Sequence, residues 1–365
     1  MGGPACSRGL PNPAASLSEG VAGLRRWHLA ALIVLLFGLV SLLGDASYEG
    51  LRSILPVEAG GPGELGGLVG VGEFIAYGLR GVAGLAADLL GSYWAPVFIG
   101  YGLVPLGVLL ALYGGPAGLA LGYWLERLGK AIRGPSRDAL LSSAAPEGRR
   151  GLVFGVHEAL DQLGAVVGPL LAYLVVKGRA PAWLLAAPGA ATLAVLLAAR
   201  HVYARASLVP TKRKGREAVR ESLRASMAAV ALVAILGLLT PNPLAVAAVA
   251  KLGGEAAAAL PLLYAAAMAS DALAAVPLGL AYDRSPKAGI VALAASGAAA
   301  AAALLGGHWI AAALLSGIVE AGYETVARAM ARGATGYGAL GVARGLAAGG
   351  SILLYAALYS HTLGP

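Results

Sequence analysis

The sequence predicts an all-α protein that crosses a membrane many times. Of its 365 residues, 58% are hydrophobic and only 13% are charged, which is too apolar for a soluble domain of this length. Apolar runs of about 20 residues recur along the chain, and a helix of that length spans a hydrocarbon core of roughly 30 Å. The runs are continuous rather than short and alternating, which argues against a β-barrel.

Clusters of Gly, Pro and charged residues divide the apolar runs into eleven predicted spans. Their approximate limits are 27–54, 64–86, 94–113, 116–141, 150–176, 181–202, 226–250, 255–281, 287–305, 308–332 and 335–359. The chain also contains 54 glycines, and small residues allow helices to pack closely in lipid.

The spans fall into two groups on either side of a basic segment. We predict a first half of six spans over 27–202, a linker over 203–225 and a second half of about five spans over 226–365. Residues 1–26 contain three prolines and are predicted to form a disordered tail. The single cysteine, Cys6, lies in this tail, so an internal disulfide is excluded.

Basic residues indicate the orientation in the membrane. Arg25 and Arg26 precede the first span, Arg149 and Arg150 follow the fourth, and the 200–224 segment is rich in Lys and Arg. The positive-inside rule therefore places the N-terminus and the linker in the cytoplasm of a multi-pass cell-membrane protein. The net charge of +8 then reflects topology and contact with anionic lipid rather than nucleic-acid binding.

Two short sequences recur in both halves. "GLAADLLGS" at 84–92 matches "GLAYDRSPK" at 279–287, and each closes the second span of its half. "FGVHEAL" at 154–160 matches "LGVARGL" at 340–346, each early in the fifth span of its half. Repeats in corresponding places indicate an internal duplication, which is common in membrane carriers.

These features resemble the major facilitator superfamily. The resemblance includes the two-half organisation, a cytoplasmic G-x-x-x-D motif after spans two and eight, a span-four arginine and G-x-x-x-G-P in span five. "GDASYEGLRSILP", "GKAIRGPSRDAL", "FGVHEALDQLGAVVGPLLA" and "YETVARAM" are similar to a prokaryotic branch of that superfamily. The resemblance implies a secondary transporter that needs no cofactor and is not an enzyme. Twelve spans are usual in this family, so either the twelfth is absent or two runs are merged.

The resemblance assigns conformational roles at the cytoplasmic ends of spans two and eight. The residues concerned are Gly84, Asp88, Gly91, Gly279, Asp283 and Arg284. Ser92 and Tyr93 stand where the family motif carries basic residues, which places the latch of the first half in doubt. In span five, Gly164, Gly168 and Pro169 are expected to permit close packing and bending, a pattern common among exporters of this superfamily.

Span five also carries three titratable side chains. If the span begins near Gly151, His157 lies roughly 9 Å and Asp161 roughly 15 Å into the membrane at 1.5 Å per residue. His157, Asp161, Gly164 and Gly168 share one face, with Glu158 about 100° away around the helix. Because buried charges need a cavity or a partner, these side chains are predicted to line a polar central path.

Other predicted spans contribute charges at similar depths. Glu73, Arg127 and Glu320 fall near mid-depth, Asp45 and Glu49 toward the outside, and Arg133, Arg137, Asp138, Glu324 and Arg328 toward the cytoplasm. Structural ion pairs are the alternative explanation for the arginines, with Asp138, Glu158 or Glu324 as partners. Both explanations require opposite charges to meet inside the membrane.

The sequence thus predicts a carrier that exchanges protons for a small solute and exports it by alternating access. Asp161, Glu158 and Glu73 are the candidate proton or cation carriers, and Arg127 is the candidate counter-charge or anion anchor. Protons, a small solute or ion and membrane lipids are the expected partners, and a monomer is expected to suffice.

Three alternatives remain, the first being a membrane receptor that does not transport, which the two-fold repetition with buried charges disfavours. His157 and nearby carboxylates suit transition metals, so a metal ion is a possible cargo. An intramembrane lipid-modifying enzyme would use His157 and Asp161 as an acid–base pair. Against the enzyme, the sequence contains neither HExxH nor GxSxG, and it contains no phosphate-binding loop for ATP-driven transport.

Overall fold

A computed structural model describes residues 13–58, 62–208, 215–255 and 259–362. Within these residues the regular secondary structure is helical. The helices are α1 (Pro13–Glu58), α2 (Pro62–Gly78), α3 (Arg80–Leu90), α4 (Trp94–Tyr113), α5 (Gly115–Ala144), α6 (Arg150–Val176), α7 (Ala187–Arg205), α8 (Arg216–Leu239), α9 (Pro243–Leu252), α10 (Ala259–Arg284), α11 (Pro286–Leu305), α12 (Trp309–Gly322), α13 (Arg328–Met330) and α14 (Gly333–Thr362).

The helices match the predicted spans when three broken helices are counted as continuous. These are α2 with α3, α8 with α9, and α12 with α13 through a π-helical segment, Tyr323–Ala327. In the described part of the chain this makes eleven helical segments, seven of which are long and apolar enough to cross a membrane by length and composition. The remaining four are α2 with α3, α5, α6 and α10, of which α5 contains several charged side chains that lower its mean hydropathy.

Two predicted boundaries were wrong. The 13–26 segment is helical rather than disordered, because α1 begins at Pro13 and continues into the first span. Proline at the first helical position is favourable since its missing N–H would be unpaired there. Residues 1–12, including Cys6, lie outside the described residues. The 203–225 linker is also shorter than predicted, because α7 extends to Arg205 and α8 begins at Arg216.

Glycines allow the neighbouring helices to approach closely. A Cβ atom on Gly107 of α4 would lie 2.5 Å from the Gly122 carbonyl oxygen of α5, and one on Gly168 of α6 would lie 2.6 Å from the Gly50 amide nitrogen of α1. The opposite face of α6 is apolar and exposed, with Val166 61% exposed, as expected for contact with lipid. The predicted role of the span-five glycines in close packing is thus consistent with the structure.

The two halves meet where α3 crosses α14 and where α6 crosses α10. At the first crossing, a Cβ atom on Gly84 would collide with the Ala334 carbonyl group. At the second, Gly151 and Gly279 each face the carbonyl group of the other. Because a larger side chain would separate the backbones, these small residues keep the halves in contact at this end of the bundle.

Asp88, near the end of α3, bridges the first crossing. Its buried carboxylate accepts hydrogen bonds from the backbone amides of Ala334 (3.2 Å) and Thr335 (2.8 Å), at the start of α14. It also accepts from the hydroxyls of Ser222 and Tyr93, both at 2.7 Å. A carboxylate at a helix N-terminus satisfies free N–H groups and complements the helix dipole. Asp88 thus attaches the first half to the second.

Asp283, near the end of α10, makes the corresponding contact in the other direction. Its two carboxylate oxygens accept from the amides of Gly151 and Leu152, both at 2.8 Å, at the start of α6. Each half therefore caps a helix of the other half. Arg284, by contrast, is exposed.

In the first half, a tyrosine hydroxyl supplies a hydrogen-bond donor where the family motif has basic residues. Burial, together with the Asp88 carboxylate, raises the pKa of Tyr93 above its usual value of 10.0. The hydroxyl therefore keeps its proton at neutral pH and remains a hydrogen-bond donor to Asp88. Gly91, between the two residues, has the left-handed backbone conformation (φ 61°) that lets the chain turn there.

Arg150 at the start of α6 makes a third attachment between the halves. Its guanidinium donates to the carbonyl oxygen of Ala331 (2.6 Å) and the hydroxyl of Tyr337 (2.7 Å), and also bonds the Ala329 carbonyl group. A cation beside the carbonyl end of a helix is favourable because it complements the helix dipole. The sequence indicated only a topological role for this residue.

The α4–α5 contact predicts a stability difference between two glycines of the same helix. Gly107→Ala should destabilise the folded protein by about 1–3 kcal/mol, because its Cβ atom would collide with the Gly122 carbonyl oxygen. Gly102→Ala is the matched control, since no atom lies within 4 Å of its Cβ position and the gain in helix propensity is the same. Thermal unfolding of both purified variants checks this, and equal stability would contradict the close contact.

The reciprocal caps predict local effects that can be separated. Asp88→Ala should increase hydrogen exchange at Ala334 and Thr335 by roughly 2- to 30-fold, the range expected for loss of about 0.5–2 kcal/mol of capping. Asp283→Ala should do the same at Gly151 and Leu152. Exchange measured by mass spectrometry on both variants provides mutual controls. If each variant increased hydrogen exchange at the starts of both α6 and α14, the two caps would not act independently.

Candidate functional site

A cluster of charged side chains joins α1, α2 and α5 within the first half. Glu73 of α2 contacts Arg52 of α1 at 3.5 Å and Arg127 of α5 at 3.3 Å. Arg52 also contacts Glu49 at 3.4 Å, four residues after Asp45. These side chains remain partly exposed except for Arg127, so this cluster, here called the α1–α2–α5 cluster, lies beside accessible space.

Arg127 is compensated within this cluster. Besides Glu73, it contacts Glu126 at 2.6 Å, and its guanidinium lies over the rings of Tyr48 (4.6 Å) and Tyr123 (5.4 Å). It is 1% exposed. These neighbours compensate the charge of Arg127, as the predicted counter-charge role requires. Its buried Nη2 atom has no hydrogen-bond partner among the described residues, so the anion-anchor role also stays a prediction.

Arg133 has a similar structural environment one turn and a half further along α5. It contacts Glu126 at 3.3 Å, donates to the Gly100 carbonyl oxygen of α4 at 3.4 Å and lies over the Tyr101 ring at 4.7 Å. Its position between α4 and α5 thus fits a packing role within the first half.

The carboxyl groups of buried Asp45 and partly buried Asp161 lie close together between α1 and α6, near enough for their charges to interact. Asp45 also accepts from the Tyr48 hydroxyl at 3.1 Å, and this hydroxyl accepts from Lys130 at 2.9 Å. Asp161 accepts from Ser41. Because two adjacent carboxylates repel each other, a proton held between them stabilises the pair.

A second set of contacts continues from this pair across to the other half. Arg137 donates to Ser41 at 3.3 Å and contacts Asp138 at 2.9 Å. Asp138 contacts Arg328 at 3.6 Å, and Arg328 also contacts Glu158 at 3.7 Å. Arg137 and Arg328 thus have the ion-pair partners that the sequence suggested. The contacts run without interruption from α1 to the second half.

The chain of contacts ends in the second half at Arg344 of α14. Arg328 and Arg344 both pair with Glu324 of the π-helical segment, and Arg344 also pairs with Glu320. We call the contacts from Lys130 to Glu320 the central charge chain. Sequence reasoning missed Arg344, although the internal repeat contained the signal: it occupies the position equivalent to Glu158.

Gln162 forms a separate bridge between the halves. Its amide nitrogen donates to Glu158 on the same helix at 3.0 Å and to Asp271 of α10 at 3.1 Å. Asp271 is 2% exposed, and its other carboxylate oxygen has no hydrogen-bond partner among the described residues. Because Asp271 is buried among several carboxyl groups, with Arg344 as the one cation that acts on it, it is a further candidate for proton binding. The sequence analysis did not include it.

His157 differs from the other predicted residues of span five. It is fully buried, and neither ring nitrogen has a hydrogen-bond partner in the described part of the chain. His157 lies within electrostatic range of Arg137, Asp161 and Asp138, so its predicted place beside the polar path stays a prediction. Gly164 and Gly168, on the same face, pack against α1.

The structure brings together most of the predicted charged residues, in two connected groups. The α1–α2–α5 cluster contains Glu49, Glu73 and Arg127, and the central charge chain contains Asp45, Asp161, Arg137, Asp138, Glu158, Arg328, Glu320 and Glu324. Among the described residues there is no group of three or more His, Cys, Asp or Glu side chains placed to hold a metal ion.

Comparisons with known proteins give relatives for part of the chain. No family model matches it. An uncharacterized protein of Mycobacterium tuberculosis is 46% identical over 174 residues, which cover 45% of this chain and 42% of that protein. An uncharacterized MFS-type transporter of Methanocaldococcus jannaschii is 34% identical over 148 residues, 39% of this chain and 37% of that protein. The matches thus span less than half the length of these relatives.

Solved structures match nearly the whole chain. The Escherichia coli fucose:proton symporter gives a TM-score of 0.63 at 16% identity, covering 92% of each chain. A bacterial homologue of the iron transporter ferroportin, in an outward-facing state, gives 0.64 at 16% identity, covering 91% of this chain and 92% of that one. With its helical spans, its internal repeat and these matches, the chain is a multi-pass membrane protein with the fold of the major facilitator superfamily.

Proposed function

We propose that this protein is a secondary active transporter that exports a small solute in exchange for protons. The observation that carries the proposal is the central charge chain, a continuous run of buried ionisable groups whose members belong to both halves. In a carrier working by alternating access, the halves move relative to each other around a central site. Groups that change their ion-pair partner or their protonation during that movement couple the flux of protons to the flux of solute.

The Asp45–Asp161 pair is the first proposed proton-binding point. A proton shared between these carboxyls removes their repulsion, and the Ser41 contact connects the pair to Arg137. Gain or loss of that proton therefore changes the charge that Arg137 and Asp138 experience. Since Asp138 contacts Arg328, this change extends to the contact between the halves.

Glu158 and Asp271 form the second proposed point. One amide nitrogen of Gln162 serves both carboxyls, which belong to α6 and α10. Asp271 faces Glu158 and Asp161 from α6, Glu320 from α12 and Arg344 from α14. With one cation among several carboxyls, a bound proton stabilises this arrangement. Movement of α10 away from α6 would separate the two carboxyls and favour proton release.

The sidedness that we propose rests on the positive-inside rule. By that rule, the basic residues near the start of the first span and in the linker favour a cytoplasmic position for the capped ends of α6 and α14. The Asp88, Asp283 and Arg150 contacts would then close the cytoplasmic side, and their release would open it. These residues act as conformational rather than cargo-binding residues in this proposal.

The fold by itself does not select the cargo. The titles of the structural matches name a fucose:proton symporter and a homologue of an iron transporter, two unrelated cargoes on one architecture. Cargo must therefore be inferred from the side chains of this protein.

The shared carboxyl pair predicts a loss of coupling. Asp161→Asn should abolish solute-dependent proton movement, because the amide keeps the shape of the side chain but cannot exchange a proton. The measurement uses purified protein in proteoliposomes containing a pH-sensitive dye, with a panel of small solutes and divalent metals. Glu147→Gln, at an exposed carboxylate, is the control and should behave as the wild type. Unchanged coupling in Asp161→Asn would remove Asp161 from the mechanism.

The Gln162 bridge predicts that a variant of Asp271 still exchanges labelled solute across the membrane but loses transport driven by a pH gradient. Asp271→Asn should retain exchange of labelled solute across the membrane without net proton flux, while transport driven by a pH gradient falls at least tenfold. The reason is that asparagine can still accept from Gln162 but cannot carry a proton. Glu255→Gln serves as the control. Normal gradient-driven transport in Asp271→Asn, or loss of exchange together with it, would contradict the assigned role.

A further inference from the structure

A line of hydrogen bonds leads from a partly exposed lysine to one carboxyl group of the Asp45–Asp161 pair. The ammonium group of Lys130, on α5, donates to the Tyr48 hydroxyl at 2.9 Å. This hydroxyl in turn donates to an Asp45 carboxylate oxygen at 3.1 Å. Asp45 and Tyr48 are 6% and 4% exposed, whereas Lys130 is partly exposed. The lysine therefore connects a buried carboxyl group with more accessible surroundings.

The other carboxyl group of the pair has similar partners but a different cation. Ser41 donates to Asp161, and the Ser41 hydroxyl accepts from Arg137 at 3.3 Å. An arginine keeps its charge in proteins, so it cannot pass a proton to this hydroxyl. A lysine ammonium, by contrast, can release a proton and take one back. Of these two hydroxyl bridges, the one through Tyr48 is therefore the one that ends in a group able to supply protons.

Cations of α5 fix the position of the Tyr48 ring. The distance to the ring centroid is 4.6 Å from Arg127 Cζ, 4.7 Å from Lys130 Nζ and 6.0 Å from Arg133 Cζ. Cations at such distances are attracted to an aromatic face, so these contacts hold the hydroxyl between its donor and its acceptor. The charged groups that surround Tyr48 are Asp45 and Glu49 of α1, Arg127, Lys130 and Arg133 of α5, and Asp161 of α6.

Lys130 also lies between the carboxyl pair and the α1–α2–α5 cluster. Its charge acts on Asp45 and Asp161 and also on Glu73 of that cluster. The Glu73 side chain is 31% exposed, so this side of the lysine is the more accessible one. We therefore place the outer end of the line of hydrogen bonds beside the cluster.

We propose that Lys130 and Tyr48 form a proton relay that supplies the Asp45–Asp161 pair. In one transfer, an N–H bond of Lys130 breaks and its proton forms a new O–H bond on Tyr48, while the original Tyr48 proton moves to the Asp45 carboxylate. The lysine and the carboxyl group both become neutral, and the tyrosine is unchanged. A hydronium ion in the accessible surroundings then returns a proton to the lysine nitrogen. The relay gives a route to the first proton-binding point of the transporter and therefore rests on the proposed function.

The test follows protonation of the pair by time-resolved infrared spectroscopy after photolytic release of a caged proton. Purified protein is used in phosphatidylcholine nanodiscs without solute, and the band of the protonated pair is identified by its loss in Asp45→Asn. Tyr48→Phe should slow the appearance of this band by about 100-fold, the low end of what a positioned proton-transfer group contributes, without changing its final amplitude. Tyr203→Phe is the matched control and should keep the wild-type rate, because Tyr203 is equally buried but its hydroxyl bonds to Ser143.

Two changes of the lysine separate a proton relay from a fixed charge. Lys130→Met removes both the charge and the exchangeable proton, and it should slow protonation of the pair to the same extent as Tyr48→Phe. Lys130→Arg keeps the charge and a hydrogen-bond donor but should be equally slow, because an arginine does not release its proton. Thermal unfolding verifies that each variant is folded.

Four results would overturn the inference. A wild-type rate in Tyr48→Phe would show that water protonates the pair directly, through the partly exposed Asp161. A wild-type rate in Lys130→Arg would show that a fixed positive charge suffices. Loss of the band in a folded Tyr48→Phe variant would show that the hydroxyl holds the bound proton rather than transferring it. The absence of any band that Asp45→Asn removes would show that the pair does not take up a proton.

The infrared measurement requires neither solute nor transport, so the relay and the proposed function fail separately. Slow protonation in Tyr48→Phe and Lys130→Arg, without solute-dependent proton flux in proteoliposomes, would leave the relay intact and remove the transporter proposal. Proton-coupled transport by the wild type, with unchanged protonation rates in both variants, would do the reverse.

Discussion

The arrangement of the two halves depends on the charge of Arg328. This side chain contacts Asp138 of α5, Glu158 of α6 and Glu324 of its own helix. In an interior of low dielectric constant, each of these carboxylates would be costly without a cation, and so would the arginine without them. Since the partners come from both halves, full compensation requires the halves to be in register. The ion pairs therefore favour one relative position of the halves.

Backbone contacts reinforce that position by a different interaction. Glycines at the α3–α14 and α6–α10 crossings permit contact at backbone distance, and each crossing ends in a carboxylate that caps the partner helix. The capping hydrogen bonds exist only while the helix ends touch, because their donors are the amides of the first turn. Charge pairing in the interior and capping at the end thus depend on the same geometry. A change at either location affects the other, which is the physical basis of the coupling proposed above.

Divergence within the duplication gives the two halves different chemistry. Equivalent positions of the fifth spans carry Glu158 in one half and Arg344 in the other. Equivalent positions of the second spans carry Arg80 and Ala275. The α6–α10 crossing is consequently tight and has a carboxyl pair bridged by an amide, whereas the α3–α14 crossing has an additional cation and a cavity. One backbone plan thus supplies a proposed proton site at the α6–α10 crossing and an additional cation at the α3–α14 crossing.

The sequence by itself determined the spans, the two halves and the presence of buried charges. Hydrophobic length is a local property of the chain, and the cost of a charge in lipid makes each intramembrane Asp, Glu or Arg a candidate without any further information. Even so, the tail and linker boundaries were misjudged, because helices can extend past the membrane where composition no longer marks them. The donor role of Tyr93 was missed since a family motif specifies residue types rather than hydrogen bonds.

Only the tertiary structure decided which charges meet. Three residues appear in the sequence only as single charges in apolar runs: Asp271, Arg344 and Arg80. The role of each depends on the side chains that face it across a helix crossing. Asp271 gains importance from a glutamine on α6, and Arg80 from a buried Nε atom that has no hydrogen-bond partner among the described residues. His157 is fully buried next to charged members of the chain, yet neither of its ring nitrogens has a hydrogen-bond partner among the described residues. Pairing in a membrane interior is set by rotation and register between helices, and these are properties of the packed bundle.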